Sequence, residues 1–143
     1  MTTVMLAASL LAFHSCREDQ LVIYSEEDIT GGASSDGDIV GMYVLNEGNM
    51  GSNKCTLDYL DLIGKDGNSV YHRNIYSERN PHEIKELGDV GNDIKIYGSR
   101  LWMVINCSNK VEVATADSAH KIGKIDIPNS RYVSFDGDNS NIK

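Results

Sequence analysis

From residue 92 to residue 127 short runs of strand-forming residues alternate with turn residues at nearly even intervals, and no helical period survives between them. Ile94 and Ile96 alternate with polar neighbours, and Gly98-Ser99 has the make-up of a two-residue hairpin turn. Leu101-Trp102-Met103-Val104-Ile105 is an apolar run short enough for a strand buried on both faces. Cys107-Ser108-Asn109 turns the chain into Val111-Glu112-Val113, and residues 116–120 turn it again into Gly123-Lys124-Ile125-Asp126-Ile127, which alternates with period two. The pattern predicts four strands in roughly 36 residues, an antiparallel meander of the size of one propeller blade.

A looser copy precedes it. Met42-Tyr43-Val44-Leu45-Asn46 answers Trp102-Met103-Val104-Ile105-Asn106, and each run leads through a loop ending in Asn-Lys, at Asn53-Lys54 and Asn109-Lys110, to a further strand. In this copy residues 56–62 supply the third strand and 69–76 the fourth, while residues 131–135 open a third unit. After Asp38 no stretch keeps apolar residues at helical spacing long enough to predict a helix. The fold expected is therefore all-β, a partial β-propeller of about two to three four-stranded blades spanning residues 39–143. Since propellers close with about four to eight blades, the expectation includes truncation of a longer protein. The rival arrangement of the same strands is a compact sandwich or small barrel.

With 143 residues and 41% apolar side chains the chain suffices for one domain with a core. Its 21 acidic against 13 basic residues leave a net charge of -8, which repels a polyphosphate backbone, so no nucleic-acid partner is expected.

Residues 4–13 (VMLAASLLAF) form an apolar run far short of the roughly 20 residues of a spanning helix. Ser15-Cys16 follows, a small residue directly before a cysteine, so the segment resembles the lipobox of bacterial lipoproteins, although Met1-Thr2-Thr3 lacks the positive charges of a signal leader. Residues 1–15 are expected as a lipoprotein signal peptide and Cys16 as the lipidated residue, with contact to the membrane through the lipid anchor alone. Arg17-Glu18-Asp19-Gln20 resembles the acidic signal that sends lipoproteins of the Bacteroidota to the cell surface, on the outer membrane. Residues 16–38 otherwise predict a flexible acidic and Gly/Ser tether, unless residues 21–24 (LVIY) form a stray strand on the folded head. Cys55 and Cys107 are expected as small packing residues, with a disulfide between them the alternative in an oxidising envelope.

Three stretches carry a family resemblance: residues 41–54 (GMYVLNEGNMGSNK), 86–94 (ELGDVGNDI) and 104–111 (VINCSNKV). Residues 39–135 resemble the N-terminal blades of YncE-like β-propeller surface lipoproteins of gut Bacteroidota, a group that includes a cobalamin-capturing lipoprotein. The resemblance implies about seven blades in the whole propeller, no catalysis, and delivery of a captured nutrient to an outer-membrane transporter.

The residues themselves show no catalytic centre. No Gly-x-Ser-x-Gly elbow accompanies the serines, and His72, His82 and His120 lack Cys, Asp or Glu partners at metal-ligand spacing, so neither enzyme, cofactor nor metal is expected. Residues 48–54 (GNMGSNK) have the glycines and lysine of an anion cradle without the spacing of a P-loop, which favours a hairpin loop. Asp136-Gly137-Asp138-Asn139-Ser140 lacks the terminal glutamate of a calcium loop. Blade topology places the longer loops on one face and would gather Asn49, Met50, Asn53, Lys54, Asn80, His82 and Asn109 there. Amides beside one Met and one His suit a large polar ligand with an apolar face, of corrinoid or glycan class. The other function class is a structural or protein-interaction propeller of the envelope with no small ligand.

Overall fold

The computed structural model describes residues 22, 24–29, 39–64, 67–83 and 86–136. The signal-peptide and lipidation expectations on residues 1–16, like most of the residue 136–140 motif, lie outside these described residues.

The chain is all-β. Among the described residues its strands are β1 (Ser25–Ile29), β2 (Gly41–Asn46), β3 (Thr56–Asp61), β4 (Ser69–Arg73), β5 (Gly91–Tyr97), β6 (Arg100–Ile105), β7 (Lys110–Thr115) and β8 (Lys121–Asp126), with a short α-helix, α1 (Ile75–Arg79). They form two antiparallel four-stranded sheets, in the orders β1-β4-β3-β2 and β5-β6-β7-β8.

The second sheet is the meander read from residues 92–127. Gly98, with φ 63°, takes the first turn position between β5 and β6, where a side chain would strain the backbone. Leu101, Met103 and Ile105 of β6 enter the core on one face, while the other face carries the buried Val104 and the half-buried Trp102. That explains why β6 is apolar at every position after Arg100. Residues 131–135, expected to open a third unit, run without ladder hydrogen bonds over one face of β5. There Val133 N–H donates to Asp93 Oδ2 at 2.9 Å, Lys95 Nζ donates to Val133 O at 2.6 Å, and Phe135 stacks on Tyr97 at 4.2 Å.

The first sheet departs from the expected copy in three ways. Ser25–Ile29 lies within the expected tether yet forms β1, because β4 offers it an open edge and the register sets Glu26 opposite His72. The fourth strand was expected to run to residue 76 but stops at Arg73. Asn74 adopts the left-handed conformation, φ 49° and ψ 47°, its N–H donates to the buried Asp58 Oδ1 at 2.8 Å, and α1 begins directly after it. That helix was not expected; at five residues it is too short to show a helical period. Finally, β2 stands at the sheet edge, where its counterpart β6 is flanked on both sides.

The core lies between the sheets. Leu57, Leu101, Met103 and Ile105 come from strands, Ile75 and Tyr76 from α1, and Leu87 from the connection that follows α1. Burying each large aliphatic side chain contributes about 1.5–3 kcal/mol. The sheets approach closely at Gly91, where an added Cβ would lie 2.6 Å from Cys55 Sγ and 2.9 Å from Leu45 Cγ.

Candidate functional site

One end of the molecule is built from loops pinned to one another. The β2–β3 loop turns through Gly48 at φ 75°, Gly51 at φ 77° and Asn53 at φ 56°. The Asp89 carboxylate accepts the Gly51 N–H at 2.7 Å and the Asn53 N–H at 3.4 Å, while the Asp89 N–H donates to Ser108 Oγ at 2.8 Å. The anion cradle suggested by residues 48–54 thus exists as backbone N–H groups, and the anion it holds is the chain's own carboxylate. Asn109, left-handed at φ 52°, accepts the Ile127 N–H at its carbonyl and the Asn129 N–H at Oδ1. Val90, a β-branched residue at φ 60°, lies beside Asp89, and its carbonyl accepts the Asn106 N–H at 2.8 Å. Such a conformation persists only where its surroundings hold it. Asn49, Met50, Asn53, Lys54 and Asn109 therefore share one braced end, with Met50 prominently exposed.

Asn80 and His82, expected on the same face, lie elsewhere. The Asn80 amide donates to Tyr76 O at 2.7 Å and to Ala119 O at 2.9 Å, and its Oδ1 accepts the Lys121 N–H at 2.8 Å. It caps the β7–β8 turn, about 17–20 Å along β7 from Asn109 at the rise of a strand. His82 borders a shallow depression of about 450 Å³ at that end, with Arg79, Glu83 and Lys121. The connection after α1 descends to this turn before returning to Asp89, so the seven expected residues divide into two groups.

Three other features have little trace in the sequence. The buried Glu112 accepts the Tyr76 hydroxyl at 2.9 Å and Lys110 Nζ at 2.6 Å, with Lys121 Nζ at 3.5 Å. Burial pushes the Tyr76 hydroxyl well above its usual pKa, and the neighbouring Glu112 carboxylate adds to the shift. A lone glutamate in the alternation Val111-Glu112-Val113 was the signal, but it reads equally as an exposed face. Second, the β1–β4 pairing and α1 bring Glu26, His72 and Glu78 together with ligand atoms within 4.8 Å of one another, and His72 Nδ1 lies 3.3 Å from Glu26 Oε1. These three could hold a divalent cation, and with a protonated imidazole they form an ion pair. Their sequence separation follows no ligand spacing, because register and not local sequence joins them.

The third feature is an apolar groove of about 400 Å³ between the sheets, beside β2 and β5. Val40, Met42, Tyr43, Tyr59, Ile94 and Ile96 line it. Tyr43 and Tyr59 pack with ring centroids 4.8 Å apart, and burial pushes the Tyr43 hydroxyl up to about 12.

These features define an all-β protein whose two antiparallel sheets are tied at one end by polar loops and separated at one side by an apolar groove. No family model matches the chain, and no curated protein matches it. Cys55 and Cys107 are both free thiols, the first buried and the second exposed.

Proposed function

We propose that the two sheets are successive blades of a β-propeller held at the outer face of the outer membrane by a lipid on Cys16. In this reading the propeller captures a nutrient of corrinoid or glycan class for an outer-membrane transporter. The observation that carries the reading is the braced loop end. Asp89 fixes residues 51–53 against Ser108, so Asn49, Met50, Asn53 and Asn109 are presented on a scaffold that loses little freedom on binding. Side-chain amides supply orienting hydrogen bonds, and the exposed Met50 supplies a soft apolar contact. The resemblance to YncE-like surface lipoproteins supports the same fold and location.

Calorimetric titration of the full chain with corrinoids and with glycans tests the reading. One of them binds, an Asn49→Ala/Met50→Ala variant weakens it at least about tenfold, which is about 1.4 kcal/mol, and His82→Ala leaves it unchanged. Absence of binding across the panel returns the chain to the protein-interaction class. Mass spectrometry of protein from its host should find cleavage before Cys16 with acyl mass attached, and an intact Met1 in mature protein would refute the anchor.

A further inference from the structure

We propose that the free edge of β2 is a docking site for one more β-strand, an extended partner segment with the chemistry of β5, bearing aliphatic side chains at alternate positions. The proposal rests on the blade reading given above and adds to it a specific vacancy and a specific occupant.

The β2 backbone groups alternate in direction along the strand. Leu62 N–H donates to Val40 O at 3.0 Å, one step beyond the Gly41↔Asp61 pair, so the even-numbered residues of β2 exchange hydrogen bonds with β3. Gly41, Tyr43 and Leu45 then turn their N–H and C=O groups away from β3, and these groups meet no hydrogen-bond partner among the described residues. Glu47 comes next in this alternation, and its carbonyl does find one, the Gly91 N–H at 3.1 Å. The edge is thus engaged at one end and open along the rest.

Residues 42–46 of β2 answer residues 102–106, which makes β2 the counterpart of β6. β6 lies between β5 and β7, whereas β2 has β3 on one side and, among the described residues, no strand on the other. The vacant position beside β2 is therefore that of a strand like β5.

The two faces of β5 are covered differently. Residues 131–135 cover the face bearing Asp93, Lys95 and Tyr97. Ile94 and Ile96 point to the opposite side and line the groove, where Val40, Met42 and Ile96 are each more than half exposed. Residues 131–135, expected to open a third unit, thus lie against β5, and the same step taken backwards would lay β5 against the strand proposed here. Such an edge beside an apolar groove is the setting for strand addition, in which main-chain bonds give affinity and alternate side chains give specificity. The β5–β6 register, Ile94↔Met103 and Ile96↔Leu101, transposes to aliphatic residues opposite Tyr43 and Gly41 and polar ones opposite Met42 and Val44.

Hydrogen exchange with residue resolution tests this on the full chain, with a synthetic peptide of residues 91–99 (GNDIKIYGS) as the probe. Saturating peptide should slow amide exchange at Gly41, Tyr43 and Leu45 at least about tenfold, and a peptide carrying Ile94→Asp and Ile96→Asp should not. Exchange that stays fast with peptide, or protection at β8 instead, overturns strand docking and leaves the blade reading standing. Slow exchange in a peptide-free monomer means that the sheets already form a closed sandwich, and both readings fail. The same protection in a peptide-free dimer makes a second copy the occupant and overturns the proposal. If the chain refolds poorly alone, monomer yield is read instead: the peptide should raise it severalfold and the aspartate peptide should not, and equal yields overturn the proposal.

Discussion

Cys55 shows how position sets the chemistry of a side chain. Burial pushes its thiol from the ordinary 9.0 up to about 12, with the Gly91 backbone hydrogen bond acting against the shift. A raised folded-state pKa contributes stability that is fully present below about pH 9 and is lost as pH rises through about 12, because over that interval the unfolded chain ionises first. Thermal melts should therefore fall in midpoint above about pH 9, with a shallower decline in Cys55→Ser. Peptide mapping after alkylation at pH 8 should find Cys107 modified in the native protein and Cys55 only after unfolding. Glu112 is held by Tyr76, Lys110 and Lys121 inside the core face of β7. Glu112→Ala leaves those donors facing a void, and a loss of about 3 kcal/mol is expected in urea unfolding, with Glu112→Gln losing less because it keeps an acceptor.

At the scale of elements, the segment after β8 is held by the hydrogen bonds of Val133 with Asp93 and Lys95 and by one ring. Phe135 stacks on Tyr97 and tilts against Trp102 with ring centroids 5.4 Å apart. Trp102 is the only tryptophan in the sequence, so the tryptophan emission reports the surroundings of this one site. Phe135→Ala should shift that emission to longer wavelength and cost about 0.5–1.5 kcal/mol beyond the area it uncovers. An unchanged spectrum would mean that residues 131–135 do not hold this position in solution. Trp102, in the most apolar strand, was expected to be buried between blades, but it is half-buried and its Nε1–H meets no hydrogen-bond partner among the described residues. Lying on the face of β6 away from the core, it depends on Phe135 for cover.

For the whole molecule the exposed aliphatic residues matter most. Ile39, Val40, Met42 and Ile96 gather near the groove, and Ile122, Ile125 and Ile127 stand on and just after β8. Two sheets with such surfaces resemble repeat units that complete their cores against neighbours. Gel filtration of the isolated chain should show self-association, and calorimetry a broad transition. A monomer with one sharp transition would show that the two sheets suffice for each other.

Much of the strand content follows from local sequence. Period-two alternation and the Gly98-Ser99 turn specify β5 to β8, since each strand pairs with its nearest neighbour in the chain and the turn sets the register. The loop residues Asn49, Met50, Asn53 and Asn109 were legible for the same reason, as polar turns between readable strands. What only the tertiary structure decided depends on partners distant in sequence. β1 exists because β4 has a free edge, Asn80 caps a turn some 40 residues away, and Asp89 fills the cradle of residues 51–53. Local alternation cannot reveal such pairings, because an acidic strand, a capping amide and a carboxylate held by backbone N–H groups look like tether, loop and solvated charge until the fold sets their acceptors and donors in place.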